Sequence, residues 1–78
     1  MLRTSDETFK RMVAEQEELE NRIDKLEDFI KKCRQNKVQN VTLDEIHLME
    51  EQLKYMTAYN RVLMCRIGRV ETNEEEIN

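Results

Sequence analysis

The sequence predicts an all-α fold: an antiparallel helical hairpin that assembles into a helical homo-oligomer. Three observations carry this reading. One glycine, no proline and 38% charged residues among 78 make a composition of long helices rather than sheets. Apolar residues recur at alternating steps of three and four through two long segments, a period that excludes strands. A chain this short buries a thin core and usually needs a staple. Its two cysteines, Cys33 and Cys65, and its single histidine, His47, have neither metal-like nor redox-like spacing. With both thiols reduced and no metal or cofactor expected, oligomerisation is the staple that remains.

The first helix opens at Thr4-Ser5-Asp6-Glu7, where Thr4 and Glu7 have the spacing of a capping box. Its seam then runs through Phe9, Met12, Leu19, Ile23, Leu26, Ile30 and Cys33, with Gln16 in the one polar slot. Lys31, Lys32, Arg34 and Lys37 gather at its end, where the helix dipole favours cations. Asn36 to Val41 is the internal break. Thr42 and Glu45 form a second capping box, and Val41 with Ile46 has hydrophobic-staple spacing. The second seam follows at Ile46, Met49, Leu53, Met56, Asn60, Leu63, Ile67 and Val70. Gly68 is either the residue after a helix end or a tolerated interior glycine.

The expected organisation is a hairpin over residues 1–70, with helices at about 5–35 and 43–67 around a loop at 36–41. Residues 71–78 form an acidic tail without a buried pattern, expected to be disordered.

A short connection makes the helices antiparallel. Folding them about the loop sets Ile30 opposite Ile46, Ile23 opposite Leu53, Met12 or its neighbours opposite Leu63, and Phe9 opposite Ile67. In that register Gln16 faces Asn60, so the polar seam residue of each helix meets the other. Two readings stand for this pair: a buried-amide register lock or a ligand contact. The second helix also carries a further stripe, Leu48, Gln52, Tyr55, Tyr59, Val62 and Arg66, while Val13 and Phe29 flank the first seam. Two helices are too few to cover these faces. Surplus apolar surface of this kind marks an interface, and closed symmetry between copies is the economical solution.

The charge pattern narrows function. The net charge of −4 lies in the tail, at Glu71, Glu74, Glu75 and Glu76, and the body before it is neutral. A duplex-DNA binder is usually basic over a face, so duplex nucleic acid is not the expected partner. The longest apolar run, Val62 to Cys65, is far short of the ~20 residues of a membrane span. The N-terminus turns polar at Arg3, so no signal peptide is expected and the cytoplasm is the expected compartment.

No enzyme is expected. His47 reads as a solvated helix-surface residue beside Glu50 and Glu51, and Cys33 and Cys65, in or next to the seams, as small hydrophobes. The sole glycine rules out a phosphate-cradling loop. Glu18 with Arg22, Glu27 with Lys31, Asp28 with Lys32 and Glu50 with Lys54 have the spacing of ordinary solvated helix pairs.

One stretch is different. Between Glu51 and Glu71 the second helix has no acid, yet carries Lys54, Arg61, Arg66 and Arg69. Folding the hairpin sets Lys10 and Arg11 across from Arg66, with Phe9 and Tyr59 near them. Rings stack on nucleobases and guanidinium groups hold phosphates. The plainer reading is dipole compensation and salt bridges to a neighbouring subunit.

The block Arg-Ile-Asp-Lys-Leu-Glu-Asp-Phe-Ile at 22–30, the run Met-Glu-Glu-Gln-Leu-Lys-Tyr-Met-Thr-Ala-Tyr at 49–59 and the closing Arg-Ile at 66–67 resemble the small phage anti-CBASS sponges. These proteins sequester the cyclic di- and trinucleotide messengers of bacterial immunity, so that the downstream effector is never switched on. The resemblance covers residues 9–67, though part of it is the grammar of any helical hairpin. It implies a helical homohexamer with ligand pockets between protomers, acting in the host bacterial cytoplasm. It further implies a ring from the first helix stacked on a base, and a lysine further along that helix on the phosphates. Lys25 matches that lysine, and Arg66 matches the arginine linked to cyclic trinucleotides. The stacking position falls at Phe9, Lys10 or Arg11. If Phe9 occupies it, a ring remains without the family's tyrosine hydroxyl; if Lys10 does, the ring is missing.

Overall fold

The computed structural model describes residues 6–77, and the side-chain surroundings of residues 6–70. Two helices make up this region: α1 (Asp6–Arg34) and α2 (Leu43–Ile77). They pack side by side along a slender body measuring 56 × 16 × 14 Å.

Every seam position expected from the sequence is buried or half-buried. On α1, Met12, Ile23, Ile30 and Cys33 are buried, and on α2 Ile46 and Leu63, the latter with no exposed surface. Near the loop, Ile30, Cys33 and Ile46 form a cluster against which Leu26, Val38, Val41, Met49 and Leu53 pack. The expected register holds at the polar layer too. Gln16 Nε2 donates to Asn60 Oδ1 at 3.2 Å, and also to Glu20 Oε2 on its own helix at 3.0 Å.

Both helix boundaries at the loop have identifiable chemistry. At the end of α1, Lys37 N–H donates to Lys32 C=O (3.0 Å) and Asn36 N–H to Cys33 C=O (3.1 Å), with Asn36 left-handed at φ 58°. This is a Schellman cap, with asparagine in the position glycine usually takes. At the start of α2, Thr42 Oγ1 accepts from Glu45 N–H at 3.1 Å, one half of the expected capping box. Val41 and Ile46 meet in the same apolar cluster, as a staple requires. Thr4, the expected cap of α1, lies outside the described residues.

The far end of α2 departs from expectation. The helix was expected to stop near residue 67 with a disordered acidic tail beyond, but it continues through Ile77. Gly68 is therefore an interior residue. Its φ is not positive, and an added Cβ there would meet nothing within 4 Å. One interior glycine costs about 1 kcal/mol relative to alanine, and with no proline downstream the helix tolerates it.

Candidate functional site

The faces of the hairpin turned away from the seam are where the chain's chemistry lies. The second stripe of α2 is open: Leu48 is 66% exposed, Tyr55 63% and Val62 52%, and Gln52, Tyr59 and Arg66 are exposed beside them. On α1, Val13 is half-buried and Phe29 exposed. Within one protomer Leu48, Tyr55 and Val62 remain largely uncovered.

On the outer flank of α2, Ala58, Arg61, Val62, Cys65, Arg66 and Arg69 line an open groove of about 500 Å³. The positions recur at three- and four-residue steps, which sets them on one helix face. Ala58, Val62 and Cys65 supply an apolar floor, and three guanidinium groups rise around it. Cys65 is exposed here, which corrects the expectation of two small hydrophobes at the seams; only Cys33 is buried.

None of these three arginines has a carboxylate partner among the described residues. The cause is local, because no acid stands three or four places from Arg61, Arg66 or Arg69. The α1 arginines behave otherwise. Arg11 holds Glu7 at 3.0 Å and Arg22 holds Glu18 at 2.6 Å. Arg34 reaches across to α2 and grips Glu50 through two hydrogen bonds, from Nε at 2.8 Å and Nη2 at 2.6 Å. Glu50 is thereby tied to Arg34 and not to Lys54 as its spacing suggested. Asp28 and Lys32 pair as expected, at 2.9 Å.

Of the residues singled out from sequence, Arg66 and Arg69 come together in the groove. Arg61, noted in the acid-free stretch but not placed among the ligand residues, joins them; its four-residue spacing from Cys65 and eight-residue spacing from Arg69 were the available signals. Tyr59 sits elsewhere. Its hydroxyl donates to Glu15 Oε2 at 2.8 Å, and with Glu15, Glu18, Leu19 and Arg22 it lines a smaller depression between the helices. The bond to Glu15, partial burial and the carboxylate's charge raise the Tyr59 pKa, while the nearby positive charge of Arg66 acts against them. Phe9 is half-buried in the seam, Lys10 is exposed, and Arg11 is engaged by Glu7.

Lys25 is exposed on α1, on the side away from α2, and the structure does not bring it to the arginine groove. Arg66 lies across from the level of Lys10, and from Lys10 to Lys25 the helix rises roughly 22 Å. One small ligand does not touch both residues of the same protomer.

Among the described residues, no group of three or more His, Cys, Asp or Glu side chains is placed to hold a metal ion. Nor is any helix there long and apolar enough to cross a membrane. No curated protein and no solved structure matches the chain. A family model described as Sequestin matches residues 6–69.

Proposed function

The chain belongs to the Sequestin family, and from that premise we propose that it is a phage-encoded protein that sequesters cyclic di- and trinucleotide messengers of bacterial immunity in the host cytoplasm. The observation that carries this reading is the α2 groove, where three arginines without carboxylate partners among the described residues surround an apolar floor. A cyclic oligonucleotide carries one negative charge per phosphodiester and a flat face on each base. Guanidinium forks suit the phosphates, and an apolar strip suits the faces. The mechanism is stoichiometric capture without catalysis: it works while the sponge holds the messenger more tightly than the immune effector does.

Assembly is part of the proposal. The exposed stripe of Leu48, Tyr55 and Tyr59 is covered by further copies of the chain, in a closed homo-oligomer for which a hexamer is the proposed size. Pockets then form between protomers. Two kinds of pocket are part of the proposal: dinucleotides held by Lys25 of one protomer with Phe9, Lys10 or Arg11 of another, and trinucleotides held at Arg66.

The test is thermal stabilisation by a panel of cyclic di- and trinucleotides. Binding to the native state alone adds about 2.7 kcal/mol at a hundredfold excess over the dissociation constant. A shift with at least one messenger class, on a particle several times the 9.5 kDa of the chain by light scattering, is the expected result. The same exposed stripe favours a second reading, a non-catalytic module that docks on another protein's helices. A monomer that stays helical and is stabilised by no nucleotide would select it.

A further inference from the structure

Arg61 is one of the three guanidinium groups on the outer flank of α2. At 100° per residue it points away from α1, so no carboxylate of α1 is placed to neutralise it, and α2 offers none within a turn. The arginines of α1 differ, since each described one holds a carboxylate. Three cations on one face, with no carboxylate partner among the described residues and with small and apolar residues between them, make a surface suited to an anion.

The order of residues gives that anion a shape. Arg61 stands towards one end of the groove, and Arg66 and Arg69 towards the other, with Val62 and Cys65 between. From Arg61 to Arg69 the helix rises roughly 12 Å. A single phosphate reaches one rim and leaves the other empty. A ligand with phosphates on two sides of a flat base reaches both, and its base covers the strip of Ala58, Val62 and Cys65. The groove volume of about 500 Å³ suits a ligand of nucleotide size.

We propose that Arg61 is a direct phosphate ligand, gripping the far side of the same anion that Arg66 holds, with a base lying on the Ala58–Val62–Cys65 floor. This rests on the sequestration reading and adds to it a residue and a selection rule. The groove discriminates against nucleotides with a single phosphate, because they engage one rim only.

Cys65 gives the experiment a reporter within the site, since it is exposed in the groove while Cys33 is buried. The full-length protein is titrated with cyclic triadenylate, cyclic diguanylate and AMP, following thermal shift and the rate at which a disulfide reagent labels Cys65, with mass spectrometry locating the label. The expected result is that a cyclic nucleotide which binds also slows labelling of Cys65, and that AMP does neither at the same concentration. Arg61→Ala should weaken that binding about tenfold, with Arg61→Lys in between, because lysine keeps the charge and loses the fork. Helix content should not change, since Arg61 is exposed. If the wild type binds and Arg61→Ala binds equally well, or Cys65 stays reactive in the bound protein, the inference is overturned and sequestration stands. If the wild type binds neither cyclic nucleotide, both fall together.

Discussion

The two helices share one inward pattern and differ in how their outward faces handle charge. On α1 the arginines at 11, 22 and 34 each hold a carboxylate, two on their own helix and one across the hairpin. On α2 the arginines at 61, 66 and 69 hold none among the described residues, and they flank a groove instead. Stability does not explain the contrast, since exposed ion pairs contribute only about 0–1 kcal/mol each. The difference is one of availability. A paired guanidinium must give up its carboxylate before it takes a phosphate, and an unpaired one does not.

The largest effect should come from testing whether the outward face of α2 takes any part in folding. Leu63 is fully buried and Leu48, on the outward stripe of the same helix, is 66% exposed. Leu63→Ala should destabilise the protein by about 2–5 kcal/mol in chemical denaturation. Leu48→Ala should leave the helix signal intact and shift the oligomer towards smaller species in light scattering. Equal losses of stability from both would erase the distinction between inner and outer faces.

A smaller effect bears on the arginines themselves. Arg66→Ala should lose roughly 1.5–3 kcal/mol of trinucleotide binding, about tenfold to a hundredfold in affinity. Lys25→Ala should weaken dinucleotides and spare trinucleotides. Arg22→Ala, on the self-paired face of α1, should change neither in calorimetric titration. If Arg22→Ala matches Arg66→Ala, pairing does not decide which arginines are available.

The smallest effect concerns the ion pair that joins the helices. The hydrogen bond from Arg34, with its charge and that of His47, lowers the Glu50 pKa against a partial desolvation that acts the other way. A carboxyl whose folded pKa is lowered adds stability above its unfolded value, near 4.5, and loses it as pH falls through the folded value. Melting temperatures of the wild type and Arg34→Ala should therefore differ slightly at neutral pH and converge in acid below pH 4.5. A gap that persists unchanged into acid would mean that Arg34 acts by packing its stem.

Much of this molecule was legible in the residues because a helical hairpin obeys short-range rules. A period of three and four fixes which side chains face inward, and a short loop fixes the partner of each. Gln16 meeting Asn60, the Thr42 cap and the Val41–Ile46 staple all follow from spacing alone. The course of α2 past Gly68 did not, because a lone glycine is a stop signal or a tolerated interior residue with similar energies, and its surroundings decide.

The sequence by itself determined the two helices, their register, the residues of the seam and the absence of acids three or four places from Arg61, Arg66 and Arg69. Tertiary structure decided how the outward residues divide. It drew Tyr59 to Glu15 and Glu50 to Arg34, turned Cys65 outward into the arginine groove, and left Lys25 outside the groove that Arg66 lines. The physical reason is directional. Inward faces are set by burial, which a periodic pattern encodes, whereas an outward side chain bonds whatever charge the packed neighbour brings within hydrogen-bond reach, and that depends on where the second helix lies in space.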